Sequence, residues 1–295
     1  MPDWIRITAD IGRAAGRRFE AGHACPVAGG CINSGWRVGS GPGSVFVKTN
    51  EPGSLAMFDA EREGLDELIE AGAIRVPRPV ATGVTATEAW IAMEWIETGR
   101  SRSGTERRLG EGLAGLHRRT ADQFGWHRDN TIGSTRQPND WSADWARFLA
   151  EQRIGFQLEL AIHNGYGGRL GDPGRRLVES IDSFFTDYRP AASLLHGDLW
   201  GGNWAADATG EPFVFDPAVY YGDREADMAM TELFGGFGGE FRSSYRATWP
   251  LDPGYEVRRH LYNLYHVLNH LNLFGGGYLG QAESLIGRLL AAVRG

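Results

Sequence analysis

The chain is poor in cysteine, in net positive charge and in long apolar runs, and each shortage removes a class of function. Cys25 and Cys31 are its two cysteines. They are too few for a disulfide scaffold and wrongly spaced for a CxxC metal or redox pair, so reduced thiols in a cytoplasmic protein are expected. The 30 Lys and Arg are outnumbered by 37 Asp and Glu, a formal charge of −7. Phosphate backbones reward a basic surface, so no nucleic-acid partner is expected. No stretch approaches the roughly 18 uninterrupted apolar residues of a membrane-spanning helix. Residues Met1 to Ile11 carry Asp3, Arg6 and Asp10 and lack the apolar segment of a leader. Neither a membrane partner nor export is expected.

Glycine, by contrast, is abundant, at 42 of 295 residues, about twice its usual share. Much of the excess lies in short clusters (Gly29-Gly30, Gly201-Gly202, Gly235-Gly236, Gly275 to Gly277), which points to tight backbone turns.

The order of elements is uneven. Trp4 to Phe19 reads as an opening helix. Ala24 to Asn50 reads as strand, glycine loop, strand, a Gly/Ser/Pro turn over Gly39 to Ser44, and a strand ending Val45-Phe-Val-Lys48. Leu55 to Ala71 is an amphipathic helix that should stop near Gly72. Pro77 and Pro79 keep residues 76 to 80 extended, and Ala89 to Glu94 is a short apolar strand. The polar stretch Glu97 to Glu106 is the expected lobe boundary, giving a nucleotide-binding lobe over 1–96 and a catalytic and substrate-binding lobe over 97–295. Beyond it lie a helix around Leu109 to His117, a loop over Asp122 to Trp141, and helices over Trp145 to Ile162 and Leu177 to Tyr188. A buried strand at Phe213 to Phe215 follows, then helices over Ala226 to Phe234 and Val257 to Phe274. A strand-rich first third before a helical remainder predicts an α+β fold, not an alternating parallel sheet.

The strongest chemical signal is His196-Gly197-Asp198-Leu199-Trp200-Gly201-Gly202-Asn203. An Asp followed five residues later by an Asn has the spacing of a kinase catalytic loop. The carboxylate of Asp198 would take the proton of an acceptor hydroxyl, while Asn203 would hold Mg²⁺ against the phosphates of ATP. Asp216, ending the apolar strand Phe213 to Phe215, stands where a second metal ligand is needed. Each of these residues alone is as well explained by a turn or a helix cap, but the combination is not.

The first third supplies complementary parts. Lys48 ends a strand and resembles the kinase lysine that pairs with the nucleotide's α/β-phosphates, and Glu61 or Glu63 on the next helix could anchor it. The loop Gly29-Gly30-Cys31 lacks the G-x-G-x-x-G spacing but lies where backbone N–H groups could line phosphates. Cys31 would then sit at the nucleotide mouth, open to oxidation or to bridging a homodimer. Met93, Glu94 and Trp95 occupy the place of a kinase hinge, which offers backbone groups to adenine. Between Asp216 and the helix near Ala226 there is no room for a peptide-binding activation segment and no Ala-Pro-Glu element, which favours a small acceptor.

The motifs resemble those of the fructosamine-3-kinase (ketosamine-3-kinase) family, a branch of the aminoglycoside- and choline-kinase-like enzymes. The resemblance runs through Gly-Gly-Cys-Ile-Asn at 29–33, Val-Phe-Val-Lys at 45–48, Val-Pro-Arg-Pro at 76–79 and Phe-Gly-Trp-His-Arg-Asp-Asn-Thr-Ile-Gly-Ser-Thr at 124–135. It continues in His-Gly-Asp-Leu-Trp-Gly-Gly-Asn at 196–203, Phe-Asp-Pro-Ala at 215–218, Tyr-Gly-Asp-Arg-Glu at 221–225 and Leu-Phe-Gly-Gly-Phe at 233–237. It implies a two-lobed protein-kinase-like fold, with Asp198 as general base, Asn203 and Asp216 on Mg²⁺, and Lys48 with Glu61 ordering the phosphates. It further implies phosphorylation of the 3-hydroxyl of a ketosamine, free or on a glycated protein, hence protein deglycation. His196 and Trp200 are the candidate substrate residues, Trp200 as a platform for the sugar's apolar face. Asp227 is expected to brace the catalytic loop. Trp204 departs from the small β-branched residue the family pattern suggests. His117, Tyr262, Tyr265, His266 and His270 read as core. Two other readings remain open: a kinase for another hydroxyl, on an aminoglycoside or choline-like amine, and a silent ATP-binding or glycated-protein-binding module.

Overall fold

The computed structural model describes residues 2–20, 23–28, 32–41 and 43–294. The chain separates into two compact units, Met1–Thr105 with Ala205–Pro217, and Glu106–Trp204 with Ala218–Gly295. The first unit thus runs past residue 96 and takes back a later segment. Local hydrogen bonds explain why. The Gly99 N–H donates to the Ala206 carbonyl at 2.8 Å and Val214 N–H to the Arg75 carbonyl at 3.0 Å. Thr105 Oγ1 reaches the Gly210 carbonyl at 2.6 Å, and Arg75 pairs with Asp207.

The first unit opens with helix α1 (Trp4–Ala15), capped by Asp3 and ended by Gly16 in a left-handed conformation at φ 65°. That glycine is why the helix stops short of Phe19. Strands β1 (Ala24–Val27), β2 (Ser34–Val38) and β3 (Val45–Asn50) follow, then helix α2 (Leu55–Ala71) and strands β4 (Pro79–Val84) and β5 (Ala89–Glu94). The sheet is antiparallel in the order β1-β2-β3-β5-β4, with β3 at its centre. Strand periodicity then sorts the side chains. Val45 and Val47 pack with Trp4, Ile7 and Ile11 of α1, so Lys48, one residue on, faces away from α1. Helix α2 ends as the sequence predicts, at Gly72 with φ 62°.

The second unit is mainly helical. It begins with α3 (Thr105–His117) and the short strands β6 (Thr120–Ala121), β7 (Asn130–Ile132) and β8 (Thr135–Gln137). The region expected to be loop therefore contains a hairpin, β7 paired with β8. Helices α4 (Trp145–Leu149), α5 (Phe156–Ala161) and α6 (Gly167–Val178) are joined by π-helical turns. The helix expected over Leu177 to Tyr188 is instead the last two residues of α6 followed by a 3-10 helix at Ile181–Phe185. Ser180 Oγ bonds the Arg176 carbonyl at 2.7 Å, a local bond that competes with helix continuation. Strand β9 (Ala192–Leu195) is central in a sheet ordered β12-β9-β6, with β12 at Tyr220–Gly222; β10 (Trp204–Ala206) and β11 (Pro212–Val214) form a separate pair in the segment that returns to the first unit. Helices α7 (Glu225–Leu233), α8 (Gly239–Thr248), α9 (Tyr255–Phe274) and α10 (Leu279–Arg294) complete the unit. Tyr262, Tyr265 and His266 are buried in α9, as a core reading requires. Among the described residues, no helix is long and apolar enough to cross a membrane.

Candidate active site

In the first unit, the central position of β3 buries Lys48 to 6% exposure. Its Nζ lies 2.6 Å from Glu61 Oε1 and 2.7 Å from Asp216 Oδ1. Glu61, not Glu63, is therefore the helix partner. Burial alone would lower the Lys48 pKa, but the charges and hydrogen bonds of Asp216 and Glu61 outweigh it and raise it, keeping the ammonium charged. Asp216 is the non-glycine residue with positive φ among those described, at 57°, a conformation that Asp tolerates better than most side chains. It follows β11, whose end turns the carboxylate onto Lys48 while leaving its side chain 39% exposed.

The hinge candidates are partly committed elsewhere. Met93 is buried. The Glu94 N–H donates to the Arg78 carbonyl at 2.7 Å and the Trp95 N–H to the Ser44 carbonyl at 3.4 Å. The Glu94 carboxylate is held by Arg75 at 3.1 Å, and the Trp95 ring lies under Arg37 at 4.7 Å. An adenine contact from this segment would use carbonyl oxygens or a neighbouring N–H. Gly29, Gly30 and Cys31 lie outside the described residues, and nothing in the structure supports a homodimer through Cys31. Cys25 is an exposed free thiol.

In the second unit, β9 ends at Leu195 and delivers residues 196–203 as a loop. Asn203 Nδ2 donates to the Asp198 carbonyl at 2.9 Å and to its carboxylate at 3.2 Å. The two residues predicted to act together are thus in contact. Asp227 on α7 accepts from the N–H of His196 at 2.7 Å and of Gly197 at 2.9 Å, and His117 Nε2 lies 3.2 Å from it. Burial would raise the Asp227 pKa, but the hydrogen bond and charge of His117, the nearby His196 and the Gly197 N–H hold it below the usual carboxylate range. Gly197 has φ 82°, and a Cβ there would run into the Ala218 carbonyl oxygen.

His196 needs correction as a substrate residue. It is fully buried, and its Nδ1 faces the Asp198 N–H at 3.3 Å. The side chain fixes the loop from beneath and is closed to an acceptor. Trp200, by contrast, is 40% exposed, which removes core packing as its explanation. Trp204 donates through Nε1 to the Gly236 carbonyl at 3.1 Å and packs at 5.9 Å on Phe237. The departure from the family pattern is a packing change that ties the 234–237 segment to the catalytic loop. The same segment touches Gly201, where a Cβ would lie 2.9 Å from the Gly235 carbonyl oxygen and from Gly236 Cα.

Other supports were not foreseen. Asn130 Nδ2 donates to the Val219 carbonyl at 2.9 Å and Gln137 Nε2 to the Ala218 carbonyl at 3.1 Å; the Ala218 N–H in turn reaches the His196 carbonyl at 2.8 Å. The hairpin β7–β8 therefore supports the loop from the far side of β12. Fully buried Arg153 holds the hairpin's exit, with Nη2 at 2.6 Å from Asn139 Oδ1 and the guanidinium 4.0 Å from the Tyr220 ring. No periodicity betrays such long-range polar bonds. The density of Asn, Asp and Gln in 127–139 was the available signal.

Asp216 and Asn203 offer a carboxylate and an amide oxygen, the hard donors that Mg²⁺ takes. Among the described residues no three His, Cys, Asp or Glu converge to hold a metal ion by themselves. A cation carried on nucleotide phosphates needs only one or two protein carboxylates, so each donor by its own chemistry fits such an ion.

The comparisons agree with this geometry. A family profile described as fructosamine kinase matches residues 3–292. A rice (Oryza sativa subsp. indica) protein named protein-ribulosamine 3-kinase, chloroplastic, is 46% identical over 88% of this chain and 76% of its own length. A crystal structure from Haemophilus somnus, provisionally described as a fructosamine-3-kinase, superposes with a TM-score of 0.89 at 30% identity, covering 96% of each chain. An aminoglycoside phosphotransferase solved with ADP and hygromycin B superposes at 0.66 with 14% identity over 98% of each chain. That last likeness concerns the fold alone, which is the two-lobed, protein-kinase-like α+β architecture.

Proposed function

We propose that this chain, which belongs to the fructosamine kinase family, is a cytoplasmic Mg·ATP-dependent kinase for the 3-hydroxyl of ketosamines, serving deglycation of amines and proteins. The observation that carries the reading is the Asp198–Asn203 contact on a loop whose backbone is anchored by buried Asp227. Asp198 accepts the acceptor's hydroxyl proton as the new O–P bond forms and the bond from the γ-phosphorus to ADP breaks. Lys48, charged and fixed by Glu61, sits ready to neutralise phosphate oxygens. Bound Mg²⁺ would add charge neutralisation on the phosphates, held by Asp216 and Asn203. Trp200 presents an open aromatic face suited to a sugar. Phosphorylation at that position makes the adduct prone to β-elimination, which frees the amine. The cytoplasm supplies the ATP, and it suits a chain whose two cysteines form no disulfide scaffold.

The test is ADP release by the purified protein with ribulosamine, fructosamine, an aminoglycoside and choline. Turnover of one or both ketosamines is expected. Robust turnover of only the aminoglycoside or choline would overturn the assignment of substrate.

A further inference from the structure

A cavity of about 590 Å³ lies in the second unit, among the end of α7, the Gly235 turn, α8 and the start of α9. Gly235, in its lining, also adjoins the loop that carries Asp198: its carbonyl oxygen would lie 2.9 Å from a Cβ on Gly201, three residues after Asp198. The lining is charged, with Arg242, Arg246 and Arg259 against Glu232 and Glu256. These charges are not evenly matched. Arg259 holds both carboxylates, Glu232 at 3.0 Å and Glu256 at 3.2 Å. Arg242 makes no ion pair among the described residues, and its Nη1 is steadied by the Phe237 carbonyl at 2.9 Å. Arg246, on the same face of α8 one turn later, is exposed and has neither ion pair nor hydrogen bond among the described residues. The lining therefore carries one net positive charge, and Arg242 and Arg246 are its guanidinium groups without an ion pair among the described residues.

We infer that this cavity is the subsite for an anionic group on the amine portion of the acceptor, a carboxylate gripped by Arg242 and Arg246. The inference rests on the ketosamine reading of the adjacent loop and sharpens it. The sugar would occupy the Trp200 side, while the amine's substituent extends past Gly235. Arginine suits this task because its planar fork matches a carboxylate and its charge does not titrate away. The shared chemistry has two sources, a free glycated amino acid or an acidic residue beside a glycated lysine in a polypeptide.

The experiment compares kcat/KM for three ribulosamine adducts: of butylamine, of 6-aminohexanoate, and of lysine in an end-blocked peptide flanked by Asp. Wild type should prefer one or both anionic adducts over butylamine by about tenfold, a scale set by partly exposed charge-assisted pairs. The double variant Arg242→Gln/Arg246→Gln should abolish that preference, leave kcat on the butylamine adduct within twofold and retain the wild-type melting temperature. The peptide arm separates the two sources. Equal selectivity in wild type and variant would overturn the inference. Calorimetric titration with 6-aminohexanoate itself decides the subsite independently of turnover. Binding by wild type and none by the double variant supports it, and no wild-type binding sinks it. Failure of wild type to turn over any adduct would instead count against the proposed function.

Discussion

The two units hold their charged groups by different means. In the first, Lys48 is fixed by two carboxylate side chains, one of them on the 39% exposed Asp216. In the second, Asp198 sits on a loop whose backbone N–H groups are held by Asp227, 2% exposed, from below. Ion pairs between side chains can exchange partners as phosphates arrive. Backbone bonds to a buried carboxylate cannot be exchanged without unfolding the loop. On the roles proposed above, the phosphate-handling set would be free to rearrange and the proton-accepting set would stay still, as preorganised catalysis demands.

Four substitutions or conditions test that contrast, starting with the largest effect. Asp198→Asn should lower turnover by about 10²- to 10⁴-fold while ATP binding by calorimetry is retained; full activity would remove Asp198 as base. Asp227→Ala should destabilise the fold by about 2–5 kcal/mol in urea unfolding, since two buried N–H groups lose their acceptor. An unchanged midpoint would mean the loop does not depend on that carboxylate. Lys48→Met should cost about 10²-fold in kcat/KM for ATP with a smaller loss of stability than Asp227→Ala. If the order of the two stability losses were reversed, the contrast would be wrong.

The smallest expected effect concerns pH. Burial lowers the His266 pKa to about 3, with help from the neighbouring His270. The unfolded chain then binds a proton near pH 6.5 that the folded one refuses, so stability falls as pH drops below that value. Between pH 7.5 and 5 the loss from this group is on the order of 2 kcal/mol. His266→Phe should flatten that part of the unfolding profile, and an unaltered slope would assign it to other groups.

Much of the site could be read along the chain because kinase chemistry needs short, ordered spacings. Asp198 and Asn203 sit on one loop, and their contact follows from five residues of sequence. Lys48 was legible because it follows the apolar run Val45-Phe-Val, although the strand itself continues to Asn50. The choice between Glu61 and Glu63 was left open along the chain: two residues apart, they point to nearly opposite sides of α2, and only the packing of that helix against the sheet decides which one Lys48 meets. His196 misled for a related reason. A motif histidine beside a base looks available, yet the fold buries its side chain completely, and no short window reveals that burial.

Local sequence was sufficient for what depends on a few bonded neighbours: the helix end at Gly72, the alternation that turns Lys48 away from α1, and the loop that joins Asp198 to Asn203. Only the tertiary structure decided what depends on distant segments meeting. It joined residues 205–217 to the first unit, set Asp216 against Lys48, bound Asp227 to the loop backbone, and left two arginines of α8 lining a cavity. Such pairings are chosen by packing and by satisfaction of buried polar groups over the whole chain, and no short window carries that information.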